Sequence, residues 1–250
     1  ALKHEKHTVQ LQYSWQDIPY ENYPNQRMDL TGNQEQRFNL RYWGGYDWGK
    51  LEGQAYYESL NHTMNFGPNK QYYYGMTGNV NGMPMNTNSN TSGVKVKGDI
   101  NLSEGSLVRT GAEWQRYYLN DWWPPVANSM MMGPNTFKNI NGGLQNISSI
   151  FGEWEKQFDP KIKTLFGVRY SLVNSSTGNV NGYMNGNVMG NNEGTDAAAF
   201  NSNGLYRNFN DVDVTLTTAY KHSANQDMEL GLARQVRAPN LYELYSWSTS

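Results

Sequence analysis

The sequence predicts an all-β chain whose strands cross a bilayer as part of a transmembrane antiparallel β-barrel. Three observations carry that expectation. Segments of about ten residues alternate apolar and polar side chains, the connections between them alternate between very short and very long, and aromatics are abundant while apolar residues are not. Because antiparallel neighbours reverse direction, this alternation of lengths puts all long loops at one end of the sheet and all tight turns at the other. Transmembrane barrels have that asymmetry.

Nine strands are expected, at about 8–16, 34–44, 51–62, 94–102, 106–119, 147–158, 162–173, 211–220 and 227–236. Tight turns fall near 45–49, 103–105, 159–161 and 221–225, where small or charged residues interrupt two alternating stretches. Long loops rich in Asn, Gly and Met cover 17–32, 63–93, 121–146 and 175–210. In the seventh strand Ile162, Thr164, Phe166, Val168, Tyr170 and Leu172 share one face and Lys163, Leu165, Gly167, Arg169 and Ser171 the other, because strand side chains alternate with period two. A one-residue slip would turn Lys163 and Arg169 toward lipid, at roughly 2–4 kcal/mol for a basic residue near the bilayer midplane. The eighth strand repeats the pattern, with Val212, Val214, Leu216, Thr218 and Tyr220 opposite Asp211, Asp213, Thr215 and Thr217. The third puts Glu52, Gln54 and Glu58 on its polar side.

Composition fits a wall that is dry on one side only. Aromatics make up 14% of the 250 residues, with 18 Tyr and 8 Trp, while apolar residues are 37%, below the roughly 45–50% of soluble domains. Trp15, Tyr42, Trp43, Trp48, Tyr117, Tyr118, Trp122 and Trp123 lie near strand ends, where aromatic girdles meet lipid headgroups. No stretch approaches the roughly 20 apolar residues of a membrane-spanning helix. A net charge of −2 offers no basic field for nucleic acid, and the absence of Cys excludes disulfides and thiolate ligands within these residues. The alternative for the same alternation is a soluble β-sandwich with its apolar face inward. Strands near ten residues argue against it, soluble strands being usually about five or six.

After the ninth strand stands Val236-Arg237-Ala238-Pro239-Asn240-Leu241-Tyr242-Glu243-Leu244-Tyr245, preceded by Leu232-Ala233-Arg234-Gln235. Pro239 can end a strand simply because it donates nothing to the ladder, but that does not account for the Glu-Leu-Tyr that follows. The segment resembles the Arg-Ala-Pro…Glu-Leu-Tyr box of TonB-dependent outer-membrane receptors. The resemblance implies residence in the bacterial outer membrane, in contact with its lipid. It also implies a 22-stranded barrel of which residues 1–250 are a part, filled by an N-terminal plug outside these residues and driven by the TonB complex.

Eleven Met are present, most in or beside the long loops. A Met in an exposed Asn/Gly-rich loop has no core to fill, and its thioether is a soft neutral ligand suited to Cu(I). His62 and Met64 emerge at the end of the third strand two residues apart, so they point the same way. This His-x-Met pair resembles the barrel half of the site in TonB-dependent copper receptors, where the plug adds a Cys and a Met. Met83 and Met85 share the spacing and are candidate capture residues. The run Met130, Met131 and Met132 reads either as a soft-metal funnel or as an apolar loop segment packed under the barrel mouth.

The segment 77–82, Thr-Gly-Asn-Val-Asn-Gly, recurs at 177–182, and we have no physical account of the repeat. No phosphate-binding loop, His-Glu-x-x-His motif or nucleophile with a base is present. The expectation is therefore a copper transporter and not an enzyme. The alternatives are a receptor for haem or an iron siderophore, an outer-membrane barrel enzyme, or a passive porin.

Overall fold

The computed structural model describes residues 1–70, 72–73, 79–80, 82–127, 129–188 and 190–248. Its main sheet is a ten-stranded antiparallel meander in which successive strands of the sheet are neighbours. The strands are β1 Leu2–His4, β2 His7–Ile18, β3 Asp29–Tyr46, β4 Gly49–Asn65, β7 Met85–Ser103, β8 Ser106–Trp123, β9 Phe137–Asp159, β10 Ile162–Ser176, β11 Tyr206–Ser223 and β12 Gln226–Arg234. A two-stranded ribbon, β5 Tyr72–Tyr73 with β6 Asn79–Val80, lies in the connection between β4 and β7. Two short helices, α1 Glu193–Ser202 and α2 Leu241–Tyr245, follow β10 and β12.

All nine expected strands are present, and the sheet gains a tenth, β1, folded back on β2 through a turn in which Glu5 takes φ 50°. The long strands overrun their expected bounds at one end. β7 begins at Met85 rather than near residue 94, and β9 at Phe137 rather than near residue 147. The added segments are rich in Asn, Ser, Thr and Gly. Beyond an apolar band the ladder still satisfies the backbone, but neither face needs apolar side chains, so the alternation that marks a strand in sequence fades.

The expected faces are observed. Leu11, Leu40, Ala55, Val94 and Trp114 form one cross-strand row, and Trp154, Phe166, Leu216 and Leu232 another. Phe166, Val168, Tyr170 and Leu172 are each about two-fifths exposed, so among the described residues nothing covers this apolar face. The opposite face carries ion pairs: Arg37 with Glu58 at 2.9 Å, Arg109 with Glu155 at 2.8 Å, Lys163 with Glu155 at 2.6 Å, and Arg169 with Glu113. Each charge is thereby kept on the polar side and neutralised there, which fixes register as well as orientation.

Part of the expected girdle lies elsewhere. Tyr42, Tyr46 and Trp48 gather with His7 at the short-turn end of the apolar face, as an interfacial cluster should. Trp43, however, borders a polar-face pocket with Arg41, Glu52, Lys95 and Lys97. Tyr117 pairs with Thr91 and Gln145 on that same face. Trp123 packs edge-on against Phe137 in the loop core. An aromatic near a strand end does not reveal its face until the register is known.

The long-loop end of the polar face is covered. The chain leaving β12 crosses β11 and β10 and docks α2 on β9, with Leu241 and Tyr245 buried against Leu119 and Ile140. The Gln145 side chain donates to the Pro239 carbonyl at 3.0 Å, and the Trp247 indole donates to the Lys138 carbonyl at 3.0 Å while stacking on Phe137. A capping box secures the helix. The Asn240 side-chain oxygen Oδ1 accepts from the Glu243 N–H at 2.9 Å, and the Glu243 carboxylate accepts from the Asn240 N–H at 2.8 Å and from both arms of Arg237 at 2.7 and 2.8 Å. Those Arg237 contacts, with the Asn240 N–H, hold the Glu243 carboxyl down to about 2. The Glu-Leu-Tyr part of the box is thus a cap and two anchors.

Candidate metal site at the loop end of the polar face

β4 runs past the Arg37–Glu58 pair of the polar face and ends with Leu60, His62 and Met64 on the side that carries Glu58. Directly opposite Met64 on β7 stands Met85, the first residue of that strand, and opposite His62 stands Thr87. Side chains paired across an antiparallel ladder have Cβ atoms about 4.5–5.5 Å apart, and diagonal neighbours about 7–8 Å, within reach of long side chains. Two thioethers and one imidazole therefore converge from two strands. Met85 was expected in a loop; the ladder makes it a fixed neighbour of Met64.

His62 is oriented from behind. Its Nδ1 lies 3.0 Å from the Asn33 side-chain oxygen on β3, its partner in the ladder. An amide oxygen only accepts, so Nδ1 carries the proton and Nε2 keeps its lone pair for an ion. This is the arrangement by which metal-binding histidines are usually held.

The connection between β4 and β7 is pinned close by. The Asn65 side-chain oxygen Oδ1 accepts from the Phe66 N–H at 2.8 Å and the Met83 N–H at 2.7 Å, tying Met83 to the end of β4. Asp29, almost fully buried, accepts from the Tyr20 hydroxyl and the Tyr23 N–H at 2.8 Å each and pairs with Lys70. The bond to Asp29, with burial, pushes the Tyr20 phenol up.

Met83 also touches a second cluster, in which Met132 and Met184 are buried with Phe137 and Tyr183, and Met131, Trp123, Val126 and Trp247 pack around them. Of the run 130–132, Met132 is 1% exposed and Met130 is 65% exposed. Met132 and Met184 fill the loop core, where sulfur meets aromatic edges, and Met130 faces outward. The structure thus joins Met64 to Met85 and Met83 to Met131, Met132 and Met184. Met76 and Met189 lie outside the described residues, as does part of the repeated segment at 77–82.

Sequence reasoning gave no role at a metal site to Asn33, Thr87, Asp121 or Tyr242. Asp121, 1% exposed, accepts from the Thr87 hydroxyl at 2.7 Å and the Asn139 amide at 2.9 Å. Burial, followed by the Asp121 charge, pushes the Tyr242 phenol of α2 up. Only the ladder registers bring Asn33, Thr87 and Asp121 to His62. Among the described residues no group of three or more His, Asp or Glu is gathered as a metal site, so soft donors carry this candidate.

Comparison with known proteins gives the fold a reference. No family model matches the chain, and no curated protein matches it. Among solved structures it superposes on the copper transporter OprC with a TM-score of 0.76, covering 97% of this chain and 36% of that one at 16% identity. The fold is part of an outer-membrane type of β-barrel. The chain spans about a third of that structure's length, the polar face corresponding to the barrel interior and the apolar face to its outside. Among the described residues no helix is long and apolar enough to cross a membrane.

Proposed function

We propose that this chain is part of a TonB-dependent receptor of the bacterial outer membrane that takes up copper, as a transporter and not an enzyme. His62 and Met64 are the barrel ligands, with Met85 beside them. The observation that supports this most is the ladder itself, which sets one imidazole, with Nε2 free, and two thioethers on the interior face at the mouth. Neutral imidazole and thioether donors suit Cu(I) and disfavour magnesium, calcium or other hard ions, which select oxygen. The likeness to a copper transporter and the resemblance of 236–245 to the receptor box support the same reading.

Met83 and the exposed Met130 act as weak capture points on the way in, with Met131 beside them and Met132 behind in the loop core. The apolar face contacts outer-membrane lipid. Energy comes from TonB through a plug domain, whose own ligands complete the coordination.

The test is bound metal in the full-length receptor after exposure to Cu(I), zinc and iron, comparing wild type with His62→Ala and Met64→Ala by mass spectrometry. Near-stoichiometric copper in wild type and its loss in both variants is the expected result. Copper absent from wild type, or unchanged in both variants, would sink the ligand assignment and move haem or an iron siderophore to first place.

A further inference from the structure

His62, Met64 and Met85 are all neutral donors. An ion held by them keeps its full charge while losing water, and an uncompensated charge in a partly desolvated site is costly. A fixed anion nearby lowers that cost without entering the coordination sphere.

The fold provides one. Asn33, His62, Thr87 and Asp121 follow one another across four adjacent strands, so Asp121 stands one strand beyond Thr87 from the imidazole. Strand spacing of about 4.8 Å puts the His62 and Asp121 backbones about 10 Å apart, close enough for the two side chains to interact electrostatically. Both Asp121 oxygens are engaged by neutral donors, Thr87 and Asn139, and among the described residues no Lys or Arg forms an ion pair with it. The interior-face carboxylates Glu58, Glu113, Glu153 and Glu155 each pair with a basic residue; of those without such a pair among the described residues, Asp121 is the one in the row of His62.

We propose that Asp121 is a positioning and charge-compensating residue for the cargo cation, acting on the ion at His62, Met64 and Met85 across Thr87. The proposal rests on the ligand assignment above. Its role is electrostatic: Thr87 and Asn139 hold the carboxylate in place, and the ion supplies the missing positive partner. Between unit charges about 8 Å apart, at an effective dielectric constant near 20, the interaction changes a binding constant by more than about tenfold.

The test is silver(I) titration of the full-length receptor at constant pH and ionic strength, with heat-modifiability on gels as the check of barrel folding. Asp121→Asn removes the charge and nearly keeps the shape. Asn139→Lys leaves Asp121 in place and neutralises it from the side away from His62, and Asn139→Gln is its uncharged control. Asp121→Asn and Asn139→Lys are each expected to weaken silver binding tenfold or more at unchanged stoichiometry, with Asn139→Gln within about threefold of wild type. If Asp121→Asn does not fold, Asn139→Lys decides alone. Wild-type affinity in a folded Asp121→Asn or Asn139→Lys, with binding lost in His62→Ala and Met64→Ala, would overturn the compensating role and leave the ligands standing. A loss in Asn139→Gln as large as in Asn139→Lys would also overturn it. Silver binding untouched by His62→Ala and Met64→Ala would overturn the ligand reading, and this proposal with it.

Discussion

Met64 on β4 and Met85 on β7 are direct partners in the antiparallel ladder, twenty-one positions apart in sequence. The intervening connection is held at its base by Asn65, which takes the Met83 N–H, and through Asp29 by Lys70. The two thioethers are therefore preorganised on adjacent strands, and ion binding need not order a loop to assemble them. Met83, by contrast, reaches the site through a loop and its packing on the Met132 cluster.

This pairing predicts equivalence. Met64→Leu and Met85→Leu are volume-conserving changes that cost less than about 1.5 kcal/mol of stability, yet each removes one soft donor. Both are expected to lower silver(I) affinity roughly tenfold or more, the loss of a donor worth at least about 1.4 kcal/mol, while Met130→Leu changes it little. Competition titration against a chelator of known affinity measures this. A normal affinity in Met85→Leu together with a lost one in Met64→Leu would make Met85 a wall residue.

The outward face makes a prediction about the bilayer. Val168 lies midway along the apolar run of β10, between Phe166 and Tyr170 on the same face. Val168→Arg is expected to destabilise the full-length receptor in vesicles by about 2–4 kcal/mol, as a basic residue near the midplane does. Lys163→Gln, which gives up a partly exposed interior ion pair with Glu155, is expected to cost less than about 1 kcal/mol. Denaturant titration after refolding into lipid compares them. Equal small effects would mean that the apolar face does not meet lipid.

The fold was legible where a physical constraint repeats along the chain. Alternation in 162–173 and 211–220 reflects a dry face and a wet one, and it gave both register and orientation. That signal ends with the apolar band: Asn86, Thr87, Asn88, Ser89 and Asn90 read as loop by composition, although the ladder continues through them. The pairing of Met64 with Met85 was invisible for this reason, since their i, i+2 companions, His62 and Met83, were the only neighbours that sequence spacing supplied. Asp121 was hidden more deeply. Its relation to His62 depends on two successive registers, His62 with Thr87 and Thr87 with Asp121, which no local pattern encodes. α1 was missed because Ala197, Ala198 and Ala199 favour a helix but sit among Asn and Gly that favour turns.

The docked segment after β12 should respond to acid. The Glu243 carboxyl lies near 2 in the folded chain against an ordinary value near 4.5, held there first by Arg237 and then by the Asn240 N–H. A carboxylate with a depressed folded value contributes stability that is complete above its unfolded value and is lost as pH falls toward the folded one. Docking of α2 is therefore expected to hold above about pH 5 and weaken between about pH 4.5 and 2, while the strands, their apolar face unchanged by protons, persist further. Trp247, stacked on Phe137 at the end of this segment, gives the readout as the difference in emission between wild type and Trp247→Phe. Arg237→Gln should move the onset of undocking toward pH 4.5. A transition at the same pH with and without Arg237 would show that the pair does not govern docking.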